Sequence, residues 1–284
     1  MVGSYVVCMS QPHFSLYLVF ILYGFYRQRI LQLKAPEDFK TDINPSGDTI
    51  TFHDRDHTYI TGNGIRLTSV TTFISSYFPK FDSQRISAIY AKKHDMTQKD
   101  VLKMWHEKGY HASRLGTAVH NYCEGIMTGT DIPYEKEHKD KERFEALLKT
   151  SDTACAALKE KFELVTAEKI VFSVDLGLAG QVDLIMRNPK NGNILVLDWK
   201  TNEKIEDSNF WRNASSPLCH LSDCNKAKYD LQLSVYKHLL VQEGYFPDAN
   251  NYSMMLIHLK QNNIDWLKVE NVYGEDVMAM LEFL

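Results

Sequence analysis

Two apolar segments separated by a short run of turn-forming residues constrain this chain most. Residues 179–187 (AGQVDLIMR) and 193–199 (NILVLDW) are rich in β-branched and aliphatic side chains, and Pro189-Lys-Asn-Gly192 lies between them. Pro and Gly in that spacing are turn chemistry. The pattern predicts two adjacent antiparallel strands joined by a short hairpin. Asp183 then sits in the first strand and Asp198 near the end of the second. A carboxylate emerging from an apolar sheet is expensive unless something compensates it. A bound divalent cation would do so, and carboxylate oxygens suit Mg²⁺ or Mn²⁺. Lys200 lies two residues beyond Asp198, and positions i and i+2 of a strand share a face. Its ammonium would point to the same cavity, to orient a water or to stabilise charge on a phosphate. The plain alternative is a hairpin with a buried-edge Asp and an exposed Lys.

Two further segments fit one site. In Leu115-Gly-Thr-Ala-Val-His120-Asn-Tyr-Cys-Glu124, His120 and Glu124 stand at i and i+4, so on a helix they share a face. Leu115, Val119, Tyr122, Cys123 and Ile126 supply a packing side. A neutral imidazole there would serve as a metal ligand, and a surface or core histidine is the alternative. Tyr229–Leu240 reads as an amphipathic helix with Leu231, Val235, Leu239 and Leu240 on one side. Gln232 and Tyr236 are again i and i+4. That pair suits binding a water, a metal-bound carboxylate or a phosphate, or else is ordinary surface polarity on a helix.

In order, these elements are GTxxH, GxxD, DxK and QxxxY. The ordered set resembles the PD-(D/E)XK nuclease superfamily, and within it the RecB-like branch, over roughly residues 50–260. Leu67-Thr-Ser-Val-Thr-Thr-Phe73, Phe78-Pro-Lys-Phe-Asp82, Trp105 and Gly109 look like the lead-in of virus- and phage-encoded members. The resemblance implies an α/β, restriction-endonuclease-like core: a central mixed β-sheet flanked by helices, with a helical N-terminal elaboration. It implies that His120, Asp183, Asp198 and the Trp199 backbone carbonyl bind one or two Mg²⁺ or Mn²⁺ ions. Lys200 matches the catalytic lysine, and Gln232 and Tyr236 match the motif that supports the site and contacts DNA. Glu168 matches an acidic position found ahead of the GxxD strand, and with Glu124 it is a supporting candidate. The second acidic position is Asp198 rather than Glu, and both types occur in the family. The implied activity is metal-dependent hydrolysis of DNA, by an exonuclease acting in repair, recombination or replication on single strands or free ends. RNA stays open as a substrate. A catalytically silent nucleic-acid-binding scaffold on the same fold is the alternative.

Composition is less pointed. A formal net charge of −4 and a pI of about 6.3 do not advertise a nucleic-acid binder. A metal reverses local charge, and Lys92, Lys93, Lys99, Lys103, Lys108 and Arg114 form a basic stretch, or simply a solvated helix face. The five cysteines are scattered and odd in number, which suits an intracellular, reducing compartment. Only Cys219 and Cys224 lie near where an iron–sulfur cluster would need four, so no cluster is expected. Cys219, His220 and Cys224 could suggest zinc, but three candidate ligands on a loop are more often accidental.

Phe14–Tyr26 is an apolar run of thirteen residues. A membrane span needs about 20, and neither a basic n-region nor a cleavage site accompanies the run. Residues 1–35 are therefore a hydrophobic segment of open role: a membrane anchor, a packed helix or an upstream extension. Residues 36–284 form the expected nuclease domain, with polar, turn-rich residues 36–48 at the boundary. Residues 49–61 and 65–70 suggest a hairpin around Gly62-Asn-Gly64. Helices are expected over 69–77, 83–94, 97–111, 113–128, 141–162, 229–243 and 275–284, with Gly109 at the junction of the third and fourth. A last hairpin is expected over 252–260 and 265–269. The 203–225 stretch, with Trp211, Arg212 and Pro217, is longer than ordinary connections. It suits either a segment gripping DNA beside the site or a disordered one.

Overall fold

A computed structural model describes residues 39–270 and 273–284. The hydrophobic N-terminal segment lies outside the described residues. Among those described, no helix is long and apolar enough to cross a membrane.

Nine strands form one mixed sheet. β1 (Phe39–Ile43), β2 (Thr49–His53), β3 (Thr58–Thr61) and β4 (Arg66–Ser69) pair successively antiparallel. The stretch expected as a boundary, as far as it is described, therefore contains a strand. Its turn chemistry is real but confined to residues 44–48, where Gly47 has φ 92° and the backbone reverses into β2. The expected single hairpin becomes a four-stranded meander, because the polar residues 54–57 turn the chain once more. The elaboration ahead of the core is thus largely strand, followed by α1 (Val70–Ser75) and α2 (Ser83–Lys93).

α3 runs unbroken from Gln98 to Thr128, where two helices were expected. Gly109 sits exposed with open space around it. An isolated glycine weakens a helix by about 1 kcal/mol without ending it. The helix stops at Gly129, whose φ of 71° is the left-handed cap that glycine favours. α4 (Lys141–Lys161) leads into β5 (Glu163–Ser173), β6 (Leu178–Arg187) and β7 (Ile194–Lys200). A long connection follows, then α5 (Asn225–Gln242), β8 (Tyr252–Leu259), β9 (Ile264–Val269) and α6 (Gly274–Leu281).

Helices cover both faces of the central strands. Ile194 and Val196 pack with α1, α5 and α6, while Leu195, Leu197 and Trp199 pack with α3 and α4. That is why β7 is apolar nearly throughout: a strand buried on both faces has no solvent side to leave polar. α5 is buried more widely than a one-sided stripe, since Leu233 and Tyr236 are as inaccessible as Leu231 and Val235. It lies deep in the core rather than on its surface. A third cluster, Ile50, Phe52, Tyr59, Leu67, Ile170 and Phe172, joins the N-terminal meander to β5. The fold is the expected restriction-endonuclease-like one.

Candidate active site

The site forms where strands part. β5 occupies one edge of β6 along its length. The other edge is shared. β4 pairs in parallel with Leu178 and Ala179, and β7 pairs antiparallel from Leu184 onwards. Gly180–Asp183 stand between them without a strand partner on that edge. β7 meanwhile continues past Leu197, held only by β8, so Asp198, Trp199 and Lys200 diverge from β6. The wedge is closed by a side chain, since the Trp199 amide donates to Asp183 Oδ2 at 2.8 Å. The hairpin thus puts both carboxylates at one opening in the sheet.

The alternation along β7 aims Asp198 and Lys200 at the face covered by α5. Asp198 is 3% exposed. Its Oδ2 lies against the Lys200 ammonium, and its Oδ1 faces the Gln232 amide nitrogen at 3.4 Å. The same amide donates to the Tyr236 hydroxyl at 3.1 Å. The Lys200 ammonium also sits 4.2 Å from the centre of the Tyr229 ring, a cation–π contact. Tyr236 in turn packs on Gly180. A Cβ at position 180 would overlap its ring and come within 3.0 Å of its hydroxyl oxygen. The glycine of GxxD and the tyrosine of QxxxY are therefore one steric unit.

α3 delivers His120 from the opposite side. Its Nε2 is 3.0 Å from the Trp199 carbonyl. A carbonyl only accepts, so the ring carries its proton on Nε2. Nδ1 lies 3.4 Å from Asp183 Oδ2. A histidine that donates one nitrogen to a carbonyl and presents the other is arranged as metal ligands are. The Trp199 carbonyl, expected to face a metal, meets this imidazole.

Glu168 comes closer to the centre than its supporting role implied. Between the pairs Ala167–Leu184 and Lys169–Val182, it stands opposite Asp183. Its φ is +50°, the left-handed region. Non-glycine residues held there cost on the order of 1 kcal/mol or more and cluster at functional sites. Two side chains secure it: Lys40 donates to its carbonyl and Gln181 to its carboxylate. One ligand atom each from His120, Glu168 and Asp183 lie within 4.8 Å of one another. Glu124, one turn beyond His120, is near enough for its charge to disfavour ionised Glu168.

Charge is crowded here. Burial, then the charge of Asp183, pushes the Glu168 carboxyl well above the usual range. Burial pushes Asp183 up to about 6; His120 opposes this and Asp198 adds to it. Burial alone would lower Lys200, but Asp198 and Asp183 more than offset it and hold the ammonium above its ordinary value. Lys200 is thus a positive charge and donor at neutral pH, not a base. Two carboxylates that resist ionising together, beside an imidazole nitrogen, are a donor set that a divalent cation satisfies. The residues present fit such an ion.

The cleft in front measures about 670 Å³ and is walled by the meander as well as the core, with Lys40, Phe52 and Tyr59 on one side and His120, Asp183 and Gln232 on the other. Gln181, Lys40 and Tyr229 carry no motif. Gln181 was detectable as the i−2 neighbour of Asp183 on the same strand face. Lys40 reaches the site only through the pairing of β1, which no local pattern announces.

A comparison with curated proteins gives no match. A family model described as the PD-(D/E)XK nuclease superfamily matches residues 92–279, which hold His120, Glu168, Asp183, Asp198, Lys200, Gln232 and Tyr236. By that match, and with the sheet and helices it requires in place, the chain belongs to the PD-(D/E)XK nuclease superfamily.

Proposed function

We propose that the protein is a Mg²⁺- or Mn²⁺-dependent deoxyribonuclease of the RecB-like, virus- or phage-type branch, acting on single strands or free ends as an exonuclease in repair, recombination or replication. The observation that carries the reading is the convergence of Asp183, Asp198 and Lys200 at the parting of β6 and β7, with His120 and Gln232 closing on them from two helices. A scaffold has no need to bury Asp198 against a lysine behind a cleft lined by His120, Glu168 and Asp183.

His120 Nδ1, Asp183 and Glu168 would hold the cation, with Asp198 beside them. A divalent ion there supplies a Lewis acid and a water of lowered pKa. Lys200, charged throughout the neutral range, stabilises the negative charge that builds on the phosphate during attack. Gln232 holds Asp198 in place, and Tyr236 holds Gln232. The cleft volume is of the size that encloses one small molecule. That supports entry of a nucleotide unit of a single strand or frayed end rather than of a duplex.

The test is a time course with end-labelled linear, circular and single-stranded DNA and with RNA, in Mg²⁺, Mn²⁺ or EDTA. The reading expects mononucleotides or short products from linear and single-stranded DNA, intact circles, and no cleavage in EDTA. Cleavage of closed circles would replace exonuclease by endonuclease, and cleavage in EDTA would remove the metal from the account.

A further inference from the structure

The connection between β7 and α5 is ordered by its own hydrogen bonds, and at its apex it exposes two adjacent aromatic rings. Phe210 is 92% and Trp211 91% exposed. Their backbone is pinned on several sides. The Asn209 amide nitrogen donates to Ser222 Oγ and its side chain to the Asp223 carbonyl at 3.0 Å. The Trp211 amide donates to Asn209 Oδ1 at 3.0 Å. Asn213 bridges to Ser222. Arg212 donates to the Pro79 carbonyl at 2.8 Å, and the Ser215 amide to the Tyr77 carbonyl at 2.6 Å. The loop is thereby fastened to the segment just beyond α1. Among the described residues, no packing accounts for two rings held out on so fixed a backbone, and pre-organised presentation favours binding by lowering the entropy lost.

The surroundings select the ligand. Polar Ser208-Asn209 and Arg212-Asn213 flank the rings, so the apolar area is two side chains wide. A protein partner needs some 20–30 residues a side, whereas a stacked base needs one ring. Arg212 and Lys228 share the single carboxylate of Asp223, at 3.1 and 2.7 Å, which leaves excess positive charge beside the rings. Exposed Lys80 stands next to the Pro79 anchor. Glu206 and Asp207 precede the rings and offset part of that charge. The position is also telling. The anchor lies at the far end of α1 from Ser69 and Thr71, which line the cleft, and a helix of six residues is only about 9 Å long. The loop itself begins one residue after Lys200 and ends at the helix that carries Gln232.

We propose that Phe210 and Trp211 form a base-stacking platform for single-stranded DNA, outside the cleft, that grips the strand a few nucleotides from the cleavage site. The proposal rests on the nuclease reading for the identity of its ligand but not on any catalytic step. Stacking on an aromatic ring tolerates every base and is lost with the base, which separates it from phosphate binding.

The experiment measures binding by fluorescence anisotropy in EDTA, so that nothing is cleaved. The full chain is titrated into a labelled oligothymidylate of about twenty nucleotides, and into an abasic strand of the same length. The wild type binds the oligothymidylate at least about tenfold more tightly than the abasic strand, the F210A/W211A variant binds both equally weakly, and F210Y/W211F keeps the preference. The aromatic-retaining variant separates loss of stacking from loss of folding. Undiminished binding of oligothymidylate by F210A/W211A overturns the platform, as does a wild type that cannot tell it from the abasic strand. Failure of the nuclease reading appears elsewhere: base-dependent binding would persist with no metal-dependent cleavage by the wild type.

Discussion

Replacing Gly180 by alanine perturbs two motifs at once. Gly180 has no left-handed φ, so its backbone is open to any residue, and the demand for glycine is steric. The added Cβ would lie 3.1 Å from Tyr236 Cζ and 3.0 Å from its hydroxyl oxygen, overlapping the ring edge still more closely. Tyr236 is 3% exposed, and its hydroxyl accepts from Gln232, so the ring has no free direction to move. Overpacking of this kind destabilises by about 1–3 kcal/mol. If the ring shifts instead, Gln232 loses its acceptor and its hold on Asp198, and cleavage falls. The clean measurement is a double-mutant cycle by urea denaturation with Gly180→Ala, Tyr236→Leu and the pair. In the Tyr236→Leu background the ring is gone, and the Gly180→Ala penalty should drop towards zero, a coupling of about 1–3 kcal/mol. Equal penalties in both backgrounds, or none in the wild type, would show that the glycine does not serve the tyrosine.

Other outcomes follow from the crowded charge. Asp183 rises from an ordinary 3.8 to about 6 on folding, which at 1.36 kcal/mol per unit is about 3 kcal/mol. Because the folded form holds its proton more tightly, metal-free stability falls as pH climbs from about 4 to about 6 and then levels off. Compared with Asp183→Asn in EDTA, the wild type should lose up to that amount between pH 4 and 7, and parallel curves would refute it. Mg²⁺ should accordingly raise the melting temperature more at pH 7.5 than at pH 5. Glu168→Gln keeps the acceptor for Gln181 while removing one of two adjoining charges. It should melt higher than the wild type in EDTA and bind Mn²⁺ more weakly by calorimetry; unchanged affinity would take Glu168 out of the ligand set. Lys200→Met removes the partner of a carboxylate that is 3% exposed. Leaving a buried charge unpaired costs about 3–5 kcal/mol, so Lys200→Met should be less stable than Asp198→Asn/Lys200→Met.

Local pattern carried the centre of the site. The β6–β7 hairpin follows from two apolar runs and a Pro-to-Gly turn, and the shared face of Asp198 and Lys200 from the two-residue period of a strand. The i, i+4 pairs at His120 and Gln232 needed only a helix. What stayed hidden is non-local. Lys40 meets Glu168 across more than a hundred residues because β1 pairs with β2, and the parting of β4 from β7 along β6 depends on which strands compete for one edge. The left-handed φ of Glu168 has no sequence mark, since glutamate is not a residue that prefers it. Gly109 misled for the opposite reason: glycine weakens a helix locally, while the packing of Leu115 to Met127 and of Val101 sustains α3 on both sides of it.

The most direct test of the central claim is single-turnover cleavage of single-stranded DNA by wild type and Asp198→Asn, at saturating Mg²⁺ and again in EDTA. Circular dichroism would confirm that both are folded. Asn preserves the shape at position 198 and removes the charge that faces Lys200. The account predicts cleavage by the wild type in Mg²⁺ alone, with a loss on the order of a hundredfold or more in Asp198→Asn, the scale of removing one electrostatic contributor to a transition state. Wild-type rates from folded Asp198→Asn, or equal cleavage in EDTA, would contradict it.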